Sequence, residues 1–122
     1  MSADAAVKFA EEQKLGRERY AEYLQSLKDI GDTNLAEMAF EQFYKLSESG
    51  ASKETLESLV ALTESINWNN PIEAATALRK EAENGSEATK QYAQELLNTK
   101  NSSIGASAQM KYFWQTASGA DF

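Results

Sequence analysis

Leu35, Met38, Ala39, Phe43 and Leu46 recur at i, i+3, i+4, i+8 and i+11. That spacing puts five apolar side chains on one stripe of an α-helix. Ala36, Phe40 and Tyr44 widen the stripe to more than half the circumference. A helix apolar over so much of its surface has to be covered from several sides. The segment from about 33 to 48 is therefore expected at the centre of a helical assembly.

The rest of the chain supplies the cover. Pro occurs once and Gly six times, mostly between periodic segments, and β-branched residues are few. A first helix is expected from about 2 to 30, with Phe9, Tyr20, Leu24, Leu27 and Ile30 on its apolar face and Gln13 and Gly16 between them. A Gly inside a helix costs ~1 kcal/mol against Ala. Gly16 thus marks a bend, a close helix crossing or a surface irregularity, the last being the plainest account. "GDTN" breaks the chain, with Asp32 or Thr33 as N-cap of the central helix. Gly50 suits the left-handed position after that helix. Ser52 caps a third helix with Leu56, Leu59, Val60, Thr63 and Ile66 on its face. Asn70 caps a fourth, with Pro71 at its first position, Glu73 placed to close a capping box, and Ile72, Ala75, Leu78 and Ala82 on its face. Asn84-Gly85 stops it. Ser86 caps a fifth, carrying Tyr92, Ala93, Leu96 and Leu97. A sixth is expected from about Ala106 to Ala117.

Helices of this length joined by short turns become antiparallel neighbours. The pattern predicts an all-α, single-domain antiparallel bundle of five to six helices: a long first helix, two helical hairpins and a C-terminal aromatic helix. Residues 1–100 would form the helical domain, 101–109 ("NSSIGASAQ") a small-residue hinge, and 110–122 a tail docked on the domain or on a partner. The stretch "AEMAFEQFYKLSESGASKETLESLVAL" resembles one unit of the helical-hairpin repeat families, tetratricopeptide and pentatricopeptide, through Ala39, Phe43, Leu46, Gly50 and Thr55. No second copy follows in phase, so the resemblance implies a hairpin and no repeat array.

Several chemistries have no residues to carry them. The chain has no Cys and no His, which removes disulfides, thiolate ligands, the commonest metal ligand and the commonest general base. The net charge is −7, and no basic residue lies between Lys53 and Arg79 while Glu54, Glu57, Glu64 and Glu73 do. Without a basic patch, nucleic-acid binding is not expected. The longest apolar runs, such as "LVAL", are far short of a membrane span, and the opening residues lack a secretory pattern, so a soluble, cytoplasmic protein is expected without membrane insertion. The Glu-x-x-His pairs of di-iron bundles, the spacing of a calcium loop around Asp29, Asp32 and Asn34, and the glycine-rich phosphate loops are all missing. No metal or cofactor is expected. Glu11, Glu12, Arg17, Arg19, Tyr20 and Tyr23 crowd the first helix, where local ion pairs such as Lys14 with Glu18 or Arg19 with Glu22 are their expected use.

The aromatic residues say more. Trp68 sits in the turn-rich loop "NWNNP" and either folds back on the bundle, the commoner outcome, or stands out as a contact residue. Met110, Phe113, Trp114 and Ala117 fall on one helical face near the C-terminus, with Tyr112 pointing elsewhere and Phe122 at the end. A helix of that kind docks in a groove, its own or a partner's. The favoured function is non-catalytic: a small acidic helical protein acting through protein–protein interaction or assembly, as an adaptor, a structural subunit of a larger particle such as a virion, or a protein inhibitor. Its partner would be another protein or its own copy. The expected contacts are Trp68, Met110, Tyr112, Phe113, Trp114 and Phe122. The alternative is a small apolar-ligand carrier, or a carboxylate- and tyrosine-based enzyme, with a pocket lined by Tyr20, Phe40, Tyr44 and Tyr92.

Overall fold

Four side-chain oxygens set four helix starts. Asp32, Ser52, Asn70 and Ser86 accept hydrogen bonds from the backbone N–H groups of Leu35, Thr55, Glu73 and Thr89, each three residues on. Each bond satisfies a donor that the first helical turn leaves without a partner. In the computed structural model, which describes residues 15–99, 102 and 104, the helices run α1 (Arg17–Ile30), α2 (Thr33–Glu48), α3 (Lys53–Ser65), α4 (Pro71–Asn84) and α5 (Glu87–Leu97). No strand occurs among the described residues.

The fold is the helical bundle that the apolar periodicity predicts, with one shift at its start. Gly16 stands before α1 rather than inside a longer helix. Its φ of 87° and ψ of 151° are not helical, and it is the N-cap of α1. Nothing lies within 4 Å of where its Cβ would be. The backbone conformation, and no close crossing, is what calls for glycine there. The part of the expected first helix before Leu15, including Phe9 and Gln13, lies outside the described residues.

The end of α2 closes as expected, around Gly50 at φ 94°. Gly50 N–H donates to the Ser47 carbonyl at 3.2 Å and Ala51 N–H to the Leu46 carbonyl at 3.0 Å. Those two bonds form a Schellman motif. The capping box at α4 is only half made. Asn70 accepts from Glu73 N–H at 3.1 Å, but its own N–H donates to the Asn67 carbonyl at 3.3 Å.

Three helices share the centre, and one of them, α3, packs against α1, α2 and α5. α2 packs against α1, α3 and α5, while α5 packs against α2, α3 and α4. Leu35, Ala39 and Phe43 of α2 are completely buried, as are Leu56, Leu59 and Val60 of α3, Leu78 of α4, and Tyr92, Ala93 and Leu96 of α5. Fully burying such side chains contributes about 1.5–3 kcal/mol each, which is what drives the helices together. α4 lies closest to α5, meeting it through the small residues Ala74 and Ala75. Ile72, expected on the packed face of α4, is 64% exposed instead: the buried face is Ala74, Ala75 and Leu78, and Ile72 falls beyond its edge in the first turn. Within the stretch that reads as a hinge, Ser102 and Ile104 are buried, and Ile104 joins the core cluster.

Candidate functional site

α1 and α3 pack side by side, and their polar residues meet in two constellations, one at the surface and one in the core. At the surface, Arg19 of α1 gives each of its three guanidinium nitrogens to a different carboxylate. Nε lies 2.5 Å from Glu57 Oε1, Nη1 is 2.6 Å from Glu22 Oε2, and Nη2 is 2.7 Å from Glu64 Oε1. Glu57 and Glu64 stand two turns apart on α3, so one planar cation spans both. Bonding to Glu64 above all, and then to Glu22 and Glu57, holds the guanidinium pKa above its already high value, against the opposing pull of partial burial. Glu22 is a local partner of the kind the sequence suggests. The links to α3 were not expected from the sequence. The signal for them is the stretch from Lys53 to Arg79 that holds several glutamates and no base of its own.

Inside, three hydroxyls from three helices are joined. Tyr92 Oη of α5 lies 2.7 Å from Thr63 Oγ1 of α3 and 3.2 Å from Tyr23 Oη of α1. Thr63 donates its one proton to the Leu59 carbonyl at 2.8 Å, so it accepts from Tyr92. Tyr92 then accepts from Tyr23, whose proton is shared with the Ala39 carbonyl at 3.4 Å. The hydroxyls run in one direction and every proton is used. Burial raises the Tyr92 pKa, and the bonds to Thr63 and Tyr23 only partly offset it. Tyr23 also stacks on Phe43, with ring centroids 4.3 Å apart at 29°. The first-helix face is thus Tyr20, Tyr23, Leu27 and Ile30, with Leu24 only half-buried. Tyr23, read from the sequence among the polar residues of that helix, belongs to the core.

Between the two constellations opens a cleft of about 320 Å³, lined by Glu22, Gln25, Ser26, Asp29, Thr63, Glu64, Ile66 and Trp68. Trp68 is half-buried against the core, and its indole N–H donates to the Thr63 carbonyl at 2.9 Å. The ring has folded back onto the bundle and forms a wall of the cleft. The cleft carries three carboxylates and an aromatic side chain, and nearby Arg19 is engaged by Glu22 and Glu64. Asp29 is the one cleft carboxylate that Arg19 does not engage.

Of the other expected contacts, Met110, Tyr112, Phe113, Trp114 and Phe122 lie outside the described residues. Tyr20 and Tyr92 are buried in the core, with the Tyr92 hydroxyl committed to Thr63 and Tyr23, and Phe40 and Tyr44 of α2 are half-buried. No group of three or more Asp, Glu, His or Cys side chains among the described residues is arranged to hold a metal ion. No helix among them is long and apolar enough to cross a membrane. No protein-family model, curated protein or solved structure matches this chain.

Proposed function

We propose that this protein acts without catalysis, as a small acidic helical protein that binds a basic segment of another protein along the α1–α3 cleft. The observation that supports this most is the placement of Trp68 beside Glu22, Asp29 and Glu64 in one cleft. Aromatic anchors surrounded by complementary charge are the usual energetic centre of an interface. The buried hydroxyls favour the same reading over a ligand carrier, because their protons are already used in holding three helices together. Ile72, the one large apolar side chain exposed among the described residues, adds a second contact on α4.

The test is sedimentation of the full chain over a wide concentration range, alone and with a lysine- and arginine-rich peptide, at low and high salt. Association that weakens with salt, and weakens further in Asp29→Asn, supports the proposal. Asp29 is exposed on α1, so that variant alters the cleft's charge and leaves the core intact. Association indifferent to both salt and Asp29 overturns it.

A further inference from the structure

Asn84-Gly85 is the only Asn–Gly pair in the 122 residues. Gly85 joins α4 to α5 with an ordinary φ of −76°, so its backbone conformation does not require glycine. Space does. A Cβ at position 85 would come within 2.6 Å of the Glu81 carbonyl oxygen and 2.6 Å of Thr89 Oγ1. One of those atoms is backbone of the last turn of α4 and cannot swing aside. The tight junction therefore disfavours any side chain at 85, so the residue that follows Asn84 carries none that would hinder attack by its own amide nitrogen.

We propose that Asn84 is a deamidation site that the folded state guards and that opening of the α4–α5 junction releases. The reaction needs only base and water. The Gly85 backbone nitrogen gives up its proton and attacks Asn84 Cγ. The new C–N bond closes a five-membered imide, the bond to the side-chain nitrogen breaks, and ammonia leaves. Water then adds to one of the two imide carbonyls, and the ring opens to aspartate or isoaspartate at position 84.

Two features of the fold hold this back. Asn84 is the last residue of α4, and helical ψ values near −42° turn the following nitrogen away from the side-chain carbonyl carbon. Gly85 N–H also donates to the Glu81 carbonyl at 2.7 Å, which retains the proton that must leave first. Asn84 itself is exposed, so water and base reach it as soon as the junction opens. The product does not restore the original packing. It adds a negative charge at the C-terminal end of α4, where the helix dipole already disfavours one, close in sequence to Glu81 and Glu83. Isoaspartate also lengthens the main chain by one methylene at a two-residue turn. The site therefore records, irreversibly, that the α4–α5 hairpin has been open.

The experiment incubates the full chain at mildly alkaline pH with and without a denaturing concentration of guanidinium. Peptide mass spectrometry then follows aspartate and isoaspartate at position 84. Folding is expected to slow the reaction at least ~10-fold, equivalent to a local opening free energy of at least ~1.4 kcal/mol. In denaturant, Asn84 is expected to outpace Asn98, whose neighbour Thr99 carries a branched side chain. Hydrogen exchange should show the Gly85 amide protected in the native protein, and Asn84→Asp should melt below the parent. Equal rates in the folded and unfolded chain overturn the proposal. So does a Gly85 amide that exchanges freely, or an Asn98 that deamidates as fast as Asn84 in denaturant.

Discussion

Arg19 Nη2 of α1 lies 2.7 Å from Glu64 Oε1 of α3, and the same guanidinium reaches Glu57 two turns earlier on α3 and Glu22 on its own helix. A planar fork satisfies three carboxylates at once in a way that a lysine ammonium on a flexible stem does not. The Arg19 side chain is 25% exposed and its partners between 33% and 57%, so each pair is screened and worth only about 0.2–1 kcal/mol. Arg19→Met removes all three and leaves three glutamates facing one another. The expected loss is about 1–2 kcal/mol, or roughly 4–15 °C in the melting midpoint for a domain of this size. Raising the salt should narrow the gap by weakening the repulsion left in the variant. Arg19→Lys should recover less than half. Thermal melts at two ionic strengths measure all of this, and a gap that widens with salt contradicts the assignment.

What could be read in advance divides along physical lines. Caps and apolar stripes are local, so Ser52, Asn70 and Ser86 were legible as helix starts, Asp32 as one of two candidates with Thr33, and Leu35, Ala39 and Phe43 as the face of a central helix. The rotation of α1 was harder to read. Tyr20, Leu24 and Leu27 make as good a stripe as Tyr20, Tyr23 and Leu27, and a tyrosine hydroxyl lets Tyr23 pass for a surface residue until Tyr92 and Thr63 are known to face it. Arg19 offered Glu22 as a near partner at i+3, and only the packing of α1 on α3 brings Glu57 and Glu64 within reach. At Ile72, burial depended on where α5 lies rather than on the periodicity of α4. Trp68 could be weighed in outline, as a ring that folds back, but its cleft arises from two helices distant in sequence.

The hydroxyl chain predicts unequal costs for removing its members. In Tyr92→Phe, Thr63 still donates to the Leu59 carbonyl and Tyr23 turns its proton to the Ala39 carbonyl, so no donor is stranded but two bonds are lost. In Tyr23→Phe, Tyr92 still donates to Thr63, and what is lost is one proton shared between two long contacts, 3.2 Å to Tyr92 and 3.4 Å to the Ala39 carbonyl. With about 1 kcal/mol per net hydrogen bond, Tyr92→Phe should cost about 1–2 kcal/mol and Tyr23→Phe about half as much. Urea unfolding of the two variants measures the order. Equal losses, or a larger one at Tyr23, would mean that the protons run the other way.

Alkaline pH should act through the same group. Burial raises the Tyr92 pKa above its ordinary value of 10.0, so between the unfolded and folded values the native state keeps a proton that the unfolded chain has released. Stability from this source is complete below pH ~10 and is lost as pH rises above it, at up to about 1.4 kcal/mol per pH unit. Removing the hydroxyl removes the effect. The difference in unfolding free energy between the parent and Tyr92→Phe should therefore shrink steadily above pH ~10, which urea titrations at a series of alkaline pH values would follow. A difference that stays constant from neutral to strongly alkaline pH would mean that Tyr92 ionises as readily in the fold as outside it.

Gly85→Ala offers a test of space against backbone freedom. Replacing glycine by alanine at a compatible φ ordinarily stabilises a protein by about 0.4–1 kcal/mol, because the unfolded chain loses freedom. At φ −76° the backbone is compatible with alanine, so on conformation alone the substitution should help. The added methyl would instead sit 2.6 Å from both the Glu81 carbonyl oxygen and Thr89 Oγ1, and either the last turn of α4 or the first turn of α5 has to give way. Overpacking of this kind costs about 1–3 kcal/mol, and the expected result is a net loss of about 1–2 kcal/mol. The same variant removes the Asn–Gly pair, so its Asn84 should deamidate more slowly in denaturant even though its fold is weaker. A Gly85→Ala protein that melts higher than the parent would show that the α4–α5 junction is looser than these distances describe.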